Sequence, residues 1–409
     1  MGGTTAYAFP DASDDYIKIT GDQLKAEKGR YNIRVTSELW ETIYLDKVRL
    51  LAVDHPESMD IFVEEQFTGP PFPGLNIYRI PEKRTPLAAT DTKGDNVLPL
   101  ISAKDDIYLH GETPGKYQGL TEMKELILDP GKTGSEGKLY LFMNGWIFPT
   151  DASINVAIGQ SDKIQVTAPQ IQVPDKNGKW ETIIENLGFP MGKDKTVVAD
   201  LSGKFLSADH HIKIRTNMDI YWDYVFFSGK LSEDPVITNE LKPLSADLHY
   251  RGFSESYRKG GRYGPHWFDY DRVNSEPEWR DLKGNYTRYG DVLPLIAEAD
   301  NMYIISNAGD ETAIAFDASL LPELKKGWKR DFLINFIGWV KDGDINTAYG
   351  QTVMPLPFHG MKRYPPGTTD TYPDSPELKK YNAEYNTRQV TQDPYLNAVK
   401  KKTEIVYKR

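Results

Sequence analysis

Cysteine is absent from all 409 residues of the chain. Disulfides, thiol nucleophiles, Cys-ligated zinc, iron–sulfur clusters and Cys-attached haem are therefore excluded. Long apolar runs are also missing, since none approaches the roughly 18 residues that a membrane-spanning helix needs. The N-terminal stretch MGGTTAYAFPDASDDY has neither the basic nor the apolar region of a signal peptide. We therefore expect a core built without covalent cross-links, and neither a transmembrane segment nor a signal sequence within this chain.

An excess of positive charge is missing as well. Lys and Arg number 49 against 59 Asp and Glu, which leaves a formal charge of −10. This balance gives a nucleic-acid partner no electrostatic support. The seven histidines include no HExxH pair, and no P-loop, GxSxG or strand-linked GxGxxG is present. We therefore expect no nucleic-acid partner and no catalytic cofactor, which leaves a structural Ca²⁺ ion as the one candidate.

The chain is rich in turn and strand residues instead. It contains 33 Gly, 27 Pro and 24 Tyr, and aromatics make up 12% of it, which favours strands over long helices. Apolar residues alternate in short segments separated by Gly, Pro and Asn. This pattern predicts an all-β fold of antiparallel β-sandwiches, of jelly-roll or galactose-binding-like type, followed by an extended C-terminal tail. Helical periodicity is confined to Gly119–Leu126 and to a segment from Glu377 to about Asn386, which Ser375-Pro376 would cap.

Three segments recur later in the chain in the same order. The partners are Thr42–Val48 with Asp219–Val225, Val97–Ile101 with Val292–Ile296, and Leu139–Gln160 with Phe332–Gln351. Repeats in the same order indicate two diverged copies of one domain. We therefore predict a first sandwich at 1–160, whose N-terminal strands are either complete or partly missing, and a second at 161–351. The Pro-rich tail at 352–409 would contain one short helix.

Four strings of the sequence resemble a bacterial protein group. They are TSELWETIYLDKVRLLAVDHP, NGWIFPTDASINVAIGQ, IRTNMDIYWD and HYRGFSESYRKGGRYGPHWFDYDRV. The chain is similar over nearly all of 30–388 to the C-terminal β-rich region of large exported, CRTAC-like proteins. Those proteins also carry FG-GAP/VCBS propeller repeats and an ASPIC/UnbV module, both of which this chain lacks. The resemblance implies an extracytoplasmic setting, periplasmic or at the cell surface or secreted, and a binding or scaffold role. It implies no chemistry.

An aromatic and arginine-rich insertion at 250–289 is the leading candidate for a binding site. Tyr, Trp and Arg dominate contact hot spots, because they bury large areas at low entropic cost. The insertion would form a protein or interdomain interface, a carbohydrate platform, or part of the core. Its candidate binding residues are Tyr257, Arg262, Tyr263, His266, Trp267, Asp269, Tyr270 and Trp279. Asp269 and Asp271 would supply acid/base chemistry on a sugar, or would pair with Arg262 and Arg272.

The candidate metal ligands are Asp342, Asp344 and Asn346, whose spacing offers oxygens to Ca²⁺. The equivalent segment of the other copy keeps Asp151 and Asn155 but loses the middle acid. Features kept in both copies are also explained if these side chains bind their own loop backbone. Both interpretations stand at this point.

We expect from these features a non-enzymatic, exported binding or scaffold protein, a component of a larger surface or periplasmic assembly. A proline-rich tail of this length would pack on a partner. The alternative is a carbohydrate-binding module or a polysaccharide-acting enzyme, which would use the aromatic residues and the acids near His266.

Overall fold

A computed structural model describes residues 11–68, 72–110, 115–132, 137–192, 194–260 and 264–407. Strands make up 42% of the protein and helices 11%, and the sheets are antiparallel, so the predicted all-β fold is confirmed.

The strands, in chain order, are β1 (Ser13–Ile19), β2 (Arg30–Thr36), β3 (Glu41–Pro56), β4 (Asp60–Phe62), β5 (Tyr78–Ile80), β6 (Ala88–Thr90), β7 (Leu120–Asp129), β8 (Tyr140–Ile147), β9 (Gln170–Pro174), β10 (Trp180–Ile184), β11 (Lys195–Asp200), β12 (Ile212–Met218), β13 (Ile220–Ser228), β14 (Ile237–Leu241), β15 (Pro243–Tyr250), β16 (Phe253–Arg258), β17 (His266–Asn274), β18 (Gly284–Tyr286), β19 (Gly290–Asp291), β20 (Ile304–Ser306), β21 (Asp310–Asp317), β22 (Trp328–Asp342) and β23 (Arg388–Val390). The helices are α1 (Ala152–Gly159), α2 (Pro376–Tyr385) and α3 (Asp393–Tyr407). None of the helices in the described ranges has the length and apolarity to cross a bilayer.

The first sandwich combines the two ends of the chain. One sheet has the order β1-β22-β3-β14, with β20 also on β3, and the other has the order β19-β15-β21-β2. Leu50 and Phe332 from the former pack with Leu248 and Ile314 from the latter in one buried cluster. Burial of these apolar side chains between the sheets is the main force that holds the sandwich together.

The second sandwich consists of the middle of the chain. Its sheets have the orders β10-β9-β12-β7-β6 and β11-β8-β13. Leu141 and Phe227 from the three-stranded sheet meet Ile171 and Ile214 from the five-stranded one. In the five-stranded sheet, β9 and β10 form a hairpin, because they pair antiparallel across the turn at Asp175.

Strand partners divide the chain differently from the predicted boundaries at 160 and 351. The chain leaves the sheets of the first sandwich after β3, builds the whole second sandwich and returns at β14, so the second is inserted into the first. Val63 and Val236, on either side of the insertion, belong to the same apolar cluster. The predicted contiguous domains 1–160 and 161–351 are therefore corrected to one interrupted and one inserted sandwich.

The recurring segments occupy matching positions in the two sandwiches. Trp339 pairs with Tyr44 across β22 and β3, and Trp146 pairs with Tyr221 across β8 and β13. Both ladders carry a bulge at the next aspartate, Asp46 or Asp223. The shared register supports the interpretation of an internal duplication, although each early segment pairs with a late segment of the other copy.

Much of the C-terminal tail packs on its own protein, and it contains two helices, α2 and α3, where one short helix was predicted. Val353, Phe358 and Tyr364 pack on Tyr44 and Trp339 of the first sandwich. Leu378 and Tyr381 of α2 reach the core of the first sandwich.

The predicted helix at 377–386 is confirmed as α2. Ser375 caps it through a 3.2 Å hydrogen bond from the Leu378 amide, and Pro376 starts it. The helix predicted at Gly119–Leu126 is wrong, because that segment enters β7.

Candidate functional site

A two-stranded ribbon made by β16 and β17 contains most of the predicted binding residues. The two strands pair antiparallel, with Tyr257 opposite Trp267 and Glu255 opposite Asp269. Within the described ranges neither strand pairs with a third strand. Arg262 and Tyr263 lie outside the described residues.

The base of the ribbon is fixed to the first sandwich by a buried carboxylate. Glu38, which is 8% exposed, accepts hydrogen bonds from the Ser254 amide at 2.8 Å and the Ser254 hydroxyl at 2.7 Å. Arg251 donates to the same carboxylate at 3.2 Å. Trp279, a predicted binding residue, donates from Nε1 to the Glu38 backbone oxygen at 2.9 Å, so it serves as an anchor.

The far end of the ribbon lies on the second sandwich. Lys259 Nζ is 2.6 Å from Asp106 and 3.5 Å from Asp194, and it lies 4.3 Å from the Trp267 ring centroid. Burial opposes the charge of Lys259, yet the hydrogen bond to Asp106 and the charge of Asp194 outweigh it and raise the pKa of the lysine. His266 contacts Phe148, with ring centroids 6.3 Å apart. Part of the insertion is therefore an interdomain contact.

Between these two anchors the ribbon exposes large side chains. Tyr257 is 47% exposed, Tyr270 39% and Val273 45%. Phe268 packs beside Tyr270, with ring centroids 6.2 Å apart.

Asp269 and Asp271 are arranged as expected if they pair with neighbouring groups and do not act on a sugar. Asp269 is 3.8 Å from the Arg272 guanidinium and accepts a hydrogen bond from the Asp271 amide at 3.2 Å. Both acids lie along one exposed strand.

The predicted metal ligands Asp342, Asp344 and Asn346 are used for contacts between the two sandwiches and within the loop. Asp344 accepts hydrogen bonds from the Ser153 hydroxyl of α1 and, at 2.9 Å, from the Asn346 amide, while its second oxygen is buried without a hydrogen bond. Asp342 lies opposite Glu41 in the ladder, and burial together with the charge of Asp151 raises its pKa to about 6. Asn346 Nδ2 donates to the same Ser153 hydroxyl at 2.7 Å, so Asp344 and Asn346 both take part in the contact with α1.

A second group of carboxylates does converge, and sequence reasoning missed it. Asp106, Asp194 and Asp223 each offer an oxygen, and these oxygens all lie within 4.8 Å of one another. Asp223 is fully buried at the bulge of β13. Its Oδ1 accepts the amides of Asp105 and Asp106, both at 3.2 Å, whereas its Oδ2 is buried with no hydrogen-bond partner. Burial raises the pKa of Asp223 to about 6, with the charges of Asp194 and Asp106 adding to it against the hydrogen bond from Asp105.

Two further groups surround this acidic cluster. Tyr108, which is 7% exposed, donates its hydroxyl toward Asp194 at 3.2 Å. Lys259 of the ribbon reaches Asp106 and Asp194 as described above. The ribbon of one sandwich therefore contacts a partly buried carboxylate cluster of the other.

The matching aspartate of the first sandwich is fully satisfied. Asp46 accepts the amides of Asp300 at 3.3 Å and Asn301 at 3.4 Å, and His359 Nε2 lies 2.5 Å from its Oδ2. The two copies therefore share a bulge and differ in what meets its carboxylate.

A sequence signal for this cluster existed. Asp46 and Asp223 occupy the same place in Thr42–Val48 and Asp219–Val225, inside segments that are otherwise rich in apolar residues. A charged side chain at a core position needs a partner. Asp194 lies outside the recurring segments, and no spacing rule links it to the other two.

Comparison with known proteins adds no relative, because no family model, curated protein or solved structure matches this chain.

Proposed function

We propose that this protein is a non-enzymatic binding or scaffold protein that acts as a component of a larger assembly, and that the ribbon β16–β17 is its contact surface. The observation that carries this proposal is a ribbon anchored at both ends and exposed between them. Tyr257, Tyr270 and Val273 are each exposed by more than a third.

Physical arguments favour a protein partner for such a surface. A pre-ordered ribbon loses little conformational entropy on binding, because Glu38 and the second sandwich already hold its ends. Its exposed tyrosines bring large contact areas with few rotatable bonds. Unpaired strand edges also accept an added strand through backbone hydrogen bonds. The proposed extracytoplasmic setting rests on the family resemblance alone.

Co-purification with matched variants tests this proposal. We expect Tyr257→Ala combined with Tyr270→Ala to lose the proteins that co-purify with the wild type, while the circular dichroism spectrum is unchanged. Tyr349→Ala is the control, because Tyr349 is 49% exposed and lies outside the ribbon. If the double variant and the wild type retain the same partners in equal amounts, the ribbon is not the contact surface.

A carbohydrate ligand is the second candidate, and the exposed rings of Tyr257 and Tyr270 favour it, because aromatic faces stack on sugars. The same variants distinguish the two. Glycan-array binding that depends on both tyrosines, with no protein partner, would replace assembly by carbohydrate recognition. The ion pair of Asp269 with Arg272 gives no support to an enzyme in this place.

A further inference from the structure

We propose that Asp106, Asp194 and Asp223 of the second sandwich form a Ca²⁺ site. Ca²⁺ holds oxygen ligands at about 2.3–2.6 Å, so two ligands of one ion lie at most about 5 Å apart. The three carboxylate oxygens are within 4.8 Å of one another and meet this limit. The donors are oxygens, which hard divalent cations prefer.

An independent observation points to a ligand at the same place. Asp223 is 0% exposed, and its carboxylate lies beside those of Asp106 and Asp194. The Oδ2 atom of this carboxylate has no hydrogen-bond partner. A buried carboxylate oxygen without a donor or cation is costly. In the matching bulge of the first sandwich, His359 supplies the missing partner to Asp46. The second sandwich offers Asp223 two more carboxylates instead.

The charge of the cluster also favours a cation. Lys259 contacts Asp106 and Asp194 but is not paired with Asp223. Tyr108 contributes a neutral donor to Asp194. One ammonium therefore faces three carboxylates, and a divalent ion would balance the remainder.

The ligands are held by separate parts of the fold. Asp223 belongs to β13, Asp194 directly precedes β11, and Asp106 lies in a turn with a positive φ of 66°. The hydrogen bonds of Asp223 Oδ1 tie that turn to β13. Such fixing positions the ligands before an ion arrives.

Lys259 makes the proposal more specific, because its ammonium competes with the ion for Asp106 and Asp194. Removing that ammonium in Lys259→Met is expected to tighten Ca²⁺ binding by about tenfold, since the site then has a higher negative charge. If Lys259 only stabilises the cluster, the Ca²⁺ affinity of Lys259→Met would not increase.

Calorimetric titration of the EDTA-treated full chain with CaCl₂ tests the site, with MgCl₂ as the competing ion. We expect wild-type binding to be weakened at least about tenfold by Asp223→Asn and by Asp194→Asn. Asp342→Asn is the matched control, an acid of the first sandwich that is expected to leave the affinity unchanged. Bound Ca²⁺ is also expected to raise the Tm of the wild type.

Three results would overturn the proposal. The first is a wild-type chain that binds neither Ca²⁺ nor a luminescent Tb³⁺ probe. The second is an affinity that Asp223→Asn and Asp194→Asn leave unaltered. The third is loss of binding in Asp342→Asn, which would place the ion at the other candidate site. Asp194→Asn keeps the test decisive if Asp223→Asn fails to fold, because Asp194 lies outside the bulge.

Discussion

Buried ionisable side chains differ between matching positions of the two sandwiches. Asp46 and Asp223 stand at the same bulge, yet one meets a histidine and the other meets two carboxylates. Lys341, which lies two residues after Trp339 in β22, is 1% exposed. Its ammonium donates to the backbone oxygens of Thr352 at 2.7 Å and Met354 at 2.9 Å. The chemistry of each site is therefore decided by single side chains placed on a common frame.

Lys341 leads to a prediction about pH. Burial lowers its pKa from the ordinary 10.5 to about 7. Between these values the unfolded chain binds more protons than the folded protein, so this residue makes stability rise with pH from about 7 toward 10. Its share of the slope is at most about 1.4 kcal/mol per pH unit. Urea unfolding at pH 7 and pH 9 is expected to give a smaller pH dependence for Lys341→Met than for the wild type. Equal dependence in both proteins would show that Lys341 is charged in its buried position.

At the scale of single elements, the ribbon is held by few contacts at its base. Glu38 alone accepts three hydrogen bonds from Arg251 and Ser254. Glu38→Ala leaves those donors without their partner and is expected to cost about 2 kcal/mol locally. Hydrogen exchange in β16 and β17 should then be faster, while β3 and β22 keep their protection. Glu255→Ala, an exposed acid on the same ribbon, is the control. Equal acceleration in all four strands would mean that Glu38 supports the whole sandwich.

Local sequence signals predicted some elements and missed others for identifiable reasons. Ser375-Pro376 predicted α2, because cap and N1 chemistry act locally. Gly119–Leu126 contains good helix formers, yet pairing with β12 outweighs their propensity and places the segment in β7. Helix α1 was missed because Ile154, Val156 and Ile158 are β-branched. Asp151 nonetheless caps it, with the Ile154 amide 2.8 Å from its carboxylate.

For the molecule as a whole, the recurring segments predicted two related copies but not which of these segments pair in the sheets. Strand length supplies the missing information, since β3 and β22 have 16 and 15 residues, whereas β8 and β13 have 8 and 9. Matched lengths satisfy the backbone hydrogen bonds along each ladder. From the sequence alone, pairing of the early and late segments within one copy was equally plausible, because it would give a similar register. The acidic cluster was missed for the same reason, because it needs Asp194 and Asp223 to meet in the inserted sandwich.

Because the second sandwich is inserted into the first, the ribbon β16–β17 can contact both sandwiches. The ribbon leaves the first sandwich at Ser254 and ends on the carboxylates of the second, and its exposed middle carries Tyr257 and Tyr270. The proposed contact surface is therefore held by both units at once.

Hydrogen exchange of the protein within its native assembly, compared with the free protein, tests the proposed contact surface most directly. We predict slower exchange in peptides that cover β16 and β17, because a partner would shield the ribbon and its open edges. The cores at β3 and β8 should exchange equally in both states. Unchanged exchange along the ribbon, with new protection confined to other surfaces, would contradict the proposal.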